Sequence, residues 1–220
     1  VGINFRRFRM KIQESSMTTI ERTYDGYGVP SGGDLIAARH EVTSFVRFKA
    51  DETAKAVGFN FVGVPDAPSE YQQLRGAYAD AWATKTPLPV SNEHCDTSIY
   101  LEPADNMRFR FWHDVHHVKL GLSFNLDDEL ELATWHCQQM ESAGFRPDSL
   151  GFRMFRADLV GQLYLMGIKG RFPYNQRRFV ETCLTHGLDL ALLDEIRFIT
   201  DLPAGRGDEP GAGRLVAVPL

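Results

Sequence analysis

Apolar residues recur at steps of three and four through most of this 220-residue chain, and that period commits it to helices before any motif is considered. After the Gly-rich turn YGVPSGGD, Leu35, Ala38, Val42, Phe45 and Phe48 mark a helix over 34–57, with Asp34 placed to cap its start. A second stripe, Tyr71, Leu74, Tyr78 and Trp82, begins behind a cap at Asp66 or Ser69 and stops before Pro87. Residues 107–121 make a third helix, stopped at Gly121. A fourth is capped by Asn125 or Asp127 and runs to Gly144, with Asp128 and Glu129 at its positive end. From about 149, Phe152, Phe155, Leu159, Leu163 and Met166 line a fifth; NQRRFVETCLTHG and LDLALLDEIRF supply two shorter ones. The apolar run GFNFVGVP (58–65) fits a strand and an extended connector equally well. Residues 86–106, rich in Pro, Asn, Asp and Ser, read as a long irregular connection. The expected fold is mainly α: a bundle of about six or seven helices with at most a minor β element.

Residues 17–204 are expected to form one helical domain. Residues 1–16 carry Arg6, Arg7, Arg9 and Lys11 but no apolar h-region, so they read as a leader or added extension rather than a secretory signal. The Gly/Pro-rich residues 205–220 read as a loose tail, and the Arg-Gly-Asp triplet inside it as chance.

The net charge of -5 argues against a generic nucleic-acid partner, which demands a basic balance. No apolar run approaches the ~18–20 residues of a membrane span. Cys95, Cys137 and Cys183 include no C-x-x-C pair, which removes zinc ribbons and thioredoxin-like chemistry. Reduced thiols in a soluble, cytoplasmic protein are the simplest expectation.

Four of the seven histidines lie in FRFWHDVHHVKLGLSFNLDDELELATWHC, residues 109–137. His113 and His117 are i,i+4 neighbours, the spacing that aims two imidazoles at one ion on zincin helices. Asp114 lies about a quarter turn away, as a ligand, a base or an outer partner of an imidazole. Phe111, Val115 and Val118 interleave with these polar residues, so the face should be buried, and buried imidazoles need partners. On the next helix Glu129 and His136 are two turns apart. A short link makes an antiparallel hairpin that brings His117 toward Glu129. The metal set expected at this central hairpin is His113, Asp114, His117 and Glu129. Zinc with an open position comes first, iron or manganese as alternatives. Asp114 and His136 are the candidate catalytic residues. His136 is also a candidate further ligand, orienting partner or core histidine, and His116 falls toward the edge.

The pattern His113-Asp114-Val115-His116-His117, eleven residues, then Glu129 resembles the HDxxH-x11-E metal motif of the coenzyme Q biosynthesis proteins that act at ring position C1. The resemblance covers about 109–141. It implies a largely α-helical fold, divalent metal on His113, Asp114, His117 and Glu129, and association with a biosynthetic complex. The chemistry it implies is ring decarboxylation or hydroxylation of a quinone precursor.

Three functions compete. The first is a metalloenzyme acting on a small-molecule substrate, with self-association or a multiprotein complex open. The second is an HD-type phosphohydrolase drafting His94, His113, Asp114 and Asp158 or Asp189. The third is a non-catalytic scaffold in which metal locks the hairpin. A ferritin-like di-iron site is disfavoured because no E-x-x-H occurs. The polar stretch SNEHCD (91–96) is a candidate lid or ligand source. Arg171, Arg177 and Arg178 are candidates for gripping an anion, with a solvated helix start the simpler reading. Tyr164 and Trp135 are expected in the core, and His40 and His186 are structural.

Overall fold

Helix starts in this chain are set by capping boxes and side-chain caps. Ser31 caps α1 (Gly32–Val57): its hydroxyl accepts from the Asp34 N–H, and the Asp34 carboxylate accepts from the Ser31 backbone N–H. Asp34, expected as the cap, is therefore its reciprocal partner. Glu70, rather than Asp66 or Ser69, plays that part for α2 (Tyr71–Thr84). Glu102 and Asp105 do so for α3 (Pro103–Leu120), which starts about four residues earlier than expected because Pro103 is tolerated in a first turn.

The computed structural model describes residues 27–197, so the expected leader (1–16) and tail (205–220) lie outside the described residues. α4 (Leu126–Ser142) follows. Next comes a continuous rod made of α5 (Leu150–Arg156), a π turn (Ala157–Gly161) and α6 (Gln162–Lys169). α7 (Gln176–His186) and α8 (Leu188–Arg197) complete the described residues. Counting that rod once, seven helical rods are described, and the fold is mainly α as expected.

Between α1 and α2 runs β1 (Phe61–Val64), paired in parallel with β2 (Leu88–Ser91), Phe61 opposite Leu88 and Val64 opposite Ser91. β1 resolves the strand-or-connector ambiguity. β2 corrects the reading of 86–106 as wholly irregular. It starts on an apolar-alternating Leu-Pro-Val-Ser stretch whose proline sits at a sheet edge, where its missing N–H does no harm.

Two apolar clusters meet at α3. Phe109 and Trp112 enter one with Phe45, Phe152 and Phe155; Phe111 and Val115 enter the other with Phe59, Leu74, Leu88 and Val90. In the first, Trp112 stacks on Phe155 at 10° and meets Phe45 edge-on. Each such side chain contributes about 1.5–3 kcal/mol when buried. With two faces of α3 so committed, residues 109–117 are buried without a break. The histidines are thus held in the interior. Some expected core positions are not core: Phe48 is 57% exposed, Trp82 50% and Tyr164 49%. They mark where a helical stripe runs past the edge of its packing partner.

Candidate metal centre

The hairpin that carries the histidines is closed by local bonds. Gly121 takes φ 73, which a glycine adopts without the Cβ clash, and turns the chain so that the Leu122 N–H bonds back to the His117 carbonyl at 3.0 Å. The same turn lets the Leu122 carbonyl face His117 Nδ1 at 3.1 Å. A carbonyl only accepts, so His117 Nδ1 carries a proton, and Nε2 is the nitrogen turned toward His113 and Glu129. Across the link, the Asp128 carboxylate accepts from the Ser123 N–H at 2.8 Å, and Asn125 caps α4 by accepting from the Asp128 N–H at 2.8 Å. These bonds fix the first turn of α4 and with it Glu129.

One ligand atom each from His113, His117 and Glu129 lies within 4.8 Å of the others, a group able to hold a metal ion. His113 Nε2 and His117 Nε2 are 2.8 Å apart, and Glu129 approaches both imidazoles at 3.4 Å. His113 and His117 are buried; the Glu129 side chain is 15% exposed. Glu129 Oε2 is buried without a hydrogen-bond partner. Burial pushes Glu129 up, but the close approach of the His113 and His117 imidazoles outweighs it and holds the carboxyl at about 2. Burial, then the neighbouring His117, depresses His113 and favours its neutral form. An ionised, under-bonded carboxylate facing two crowded ring nitrogens is a donor set that fits a divalent cation.

The other expected residues take distinct places. Asp114 is buried but lies outside the three-donor group; burial raises it to about 7 against the pull of His117 and Arg110. His136 is fully buried behind His113, its Nε2 3.2 Å from His113 Nδ1, and is enclosed by Phe109, Trp112 and Trp135. His116 is not at a solvated edge. It is 9% exposed, its Nδ1–H donates to the Trp112 carbonyl at 2.7 Å, and its ring stacks on Trp135. That bond, one turn back along α3, turns it away from the cluster.

The residues needed by an HD phosphohydrolase are not brought together. His94 and Asp189 are exposed, and Asp158 is buried on the π turn, where it accepts from the Gln162 amide. None joins the metal group among the described residues. Within 91–96, Glu93 and Asp96 are exposed as well, and Ser91 and Cys95 are the buried residues. Arg171, in the link after α6, bonds to Glu195 of α8, and Arg177 of α7 bonds to the Ser98 carbonyl, so each ties a helix to a connecting segment rather than presenting a free guanidinium group. A cleft of about 820 Å³ lies between α4, the α5–α6 rod and the start of α8, lined in part by Leu130, Cys137, Val160 and Tyr164. None of the cluster's three donors lines it.

Sequence reasoning missed Arg110 and the Leu122 carbonyl. The second leaves no side-chain signal. The first did: Arg110 interrupts the run Phe109–Trp112, and a charge inside an aromatic run on a buried helix calls for a partner.

No described helix is long and apolar enough to cross a membrane. Compared with family models, curated proteins and solved structures, the chain matches none of them.

Proposed function

We propose that this protein is a metal-dependent enzyme whose hairpin α3–α4 holds one divalent ion on His113 Nε2, His117 Nε2 and the Glu129 carboxylate. The observation that carries this reading is the convergence of two imidazoles and an ionised carboxylate whose Oε2 is buried without a donor. Three protein donors leave room for an exogenous ligand, the arrangement of catalytic rather than structural zinc. Zinc suits the set best, with iron or manganese the alternatives. Such an ion supplies Lewis acidity toward a substrate oxygen.

The chain's own groups divide the remaining work. The Leu122 carbonyl holds His117 in the Nδ1–H tautomer. His136 Nε2 accepts from His113 Nδ1–H, leaving His113 Nε2 free to bind; this outer partner sets ring orientation and basicity. Asp114, buried beside the cluster, is the carboxyl at which a proton is held or released near the reacting atoms. The substrate is a small molecule. The HDxxH-x11-E resemblance favours a quinone precursor, and this part of the reading rests on the motif alone.

Elemental analysis tests the proposal. Protein stripped with chelator and reloaded anaerobically with Zn, Mn or Fe should retain about one ion, and His117→Ala and Glu129→Ala should retain far less. Equal, negligible metal in all three proteins would sink it.

A further inference from the structure

The rod α5–α6 is interrupted by one π turn, Ala157–Gly161, and such a turn holds an extra residue that a regular helix does not accommodate. Its two sides face different surroundings. Ala157, Val160 and Gly161 line the cleft of about 820 Å³, as do Arg153 and Arg156 of α5. Asp158 lies on the inner side and is 5% exposed. The end of the turn is pinned: a methyl on Gly161 would stand 3.3 Å from the Phe179 ring and 3.6 Å from Leu188.

The groups that face Asp158 are neutral. Gln162, one turn on, donates its amide N–H to Asp158 Oδ1 at 2.5 Å, and the buried Tyr100 hydroxyl lies against the carboxyl without a bond of normal geometry. Asp158 forms no ion pair among the described residues. Arg110 of α3 acts on Tyr100, and the thiols of Cys137 on α4 and Cys183 on α7 line the cleft instead. Gln162 Oε1 is buried without a partner. An ionised carboxylate only accepts and cannot serve that atom. A protonated one closes the second bond of an acid–amide pair, its O–H donating to Gln162 Oε1 while Oδ1 accepts from the amide. The inner side therefore suits the neutral acid. Burial agrees, raising Asp158 to about 7 against the hydrogen bonding of Gln162 and Tyr100.

We infer that the π turn is a switch on the cleft, operated by the ionisation of Asp158. Neutral, the carboxyl stays inside on Gln162 and Tyr100. Ionised, it has no cation on that side, and an unpaired buried charge is costly. Shifting the extra residue of the turn by one position carries Asp158 about 100° round the rod, to the place held by Ala157 on the cleft wall, while Gly161 stays pinned. There the carboxylate meets solvent and Arg156, an exposed guanidinium that bonds to no side chain among the described residues and whose charge acts on the Cys137 thiol. The two states differ in the surroundings of one carboxyl, so pH shifts their populations. The inner state dominates while Asp158 keeps its proton, and the cleft wall turns acidic once the proton is lost. The switch is independent of the metal reading.

The test uses the full chain and hydrogen exchange of the backbone amides of 157–162, expressed as protection factors so that the intrinsic pH dependence of exchange divides out. Between about pH 5.5 and about pH 8.5 the wild-type turn should lose at least about tenfold in protection. Asp158→Asn, which is neutral at every pH and completes the amide pair, should stay within about threefold. Arg156→Gln, a substitution at an exposed position, should move the loss to higher pH. Alkylation of Cys183 should accelerate over the same range in wild type relative to Asp158→Asn, and that of Cys95, which does not line the cleft, should not. Protection that does not change with pH, an equal loss in Asp158→Asn, or an unmoved midpoint in Arg156→Gln overturns the inference. If Asp158→Asn fails to fold, wild type and Arg156→Gln decide the matter.

Discussion

Replacing His136 by Leu separates the outer partner of the cluster from the cluster itself. His136 touches the metal group only through His113, at 3.2 Å, and its own Nδ1 is buried without a partner. Loss of the acceptor leaves His113 Nδ1–H unpaired, at a cost of about 1–3 kcal/mol. Leucine offsets part of that cost in the metal-free protein, because it replaces a poorly satisfied imidazole in a pocket walled by Phe109, Trp112 and Trp135. Metal affinity has no such offset. Outer partners of this kind are worth about 10–100-fold in affinity, which is about 1.4–2.8 kcal/mol. Calorimetric zinc titration of wild type and His136→Leu, with thermal denaturation of both metal-free proteins, should show weaker binding with a comparatively small loss of stability. His136→Gln restores an acceptor and should recover part of the affinity. His116→Leu removes a neighbouring imidazole, 9% exposed, that bonds to the Trp112 carbonyl instead, and should leave affinity unchanged. Affinity within threefold of wild type in His136→Leu, or the same loss in His116→Leu, would refute the reasoning.

Asp158 sets a pH dependence. Burial raises it to about 7 in the folded chain, against about 3.9 when unfolded. The native state therefore binds more protons in that window, so the stabilising contribution is complete below about pH 4 and is lost as pH rises toward 7. Asp158→Asn keeps the acceptor for Gln162 and should flatten this fall, raising the denaturation midpoint at pH 8 relative to pH 5; parallel curves would contradict it. Gly121→Ala has open space around the added methyl, so only backbone strain at φ 73 is charged, about 1–2 kcal/mol in a urea midpoint. Asp105→Asn weakens the bonds from Arg47 and Arg108 to a carboxylate with no exposed side-chain surface, and chemical denaturation should show a loss of about 2–3 kcal/mol.

Helices and site were legible to different depths for physical reasons. Stripes such as Ala38, Val42 and Phe45 announced α1, because a helix buried on one face must repeat its apolar residues at the helical period. The meeting of His113, His117 and Glu129 was legible for the same reason: two positions four apart share a face, and a short link folds the next helix back. The burial of His116 was not, since α3 packs on several sides and no single stripe describes it. β2 hid inside a Pro- and Asp-rich stretch because a four-residue strand carries almost no periodic signal. The role of His136 needed three dimensions, as its sequence distance from His113 says nothing of which ring nitrogen it meets.

The central claim is that a divalent ion sits on His113, His117 and Glu129, and the number of zinc sites in Glu129→Gln tests it most directly. The substitution keeps the shape of the side chain and removes only its charge. Calorimetry should count one tight site in the wild-type protein and no tight site in the folded variant. An unchanged stoichiometry and affinity in Glu129→Gln would place the ion elsewhere, and the account of this hairpin as a metal centre would fall.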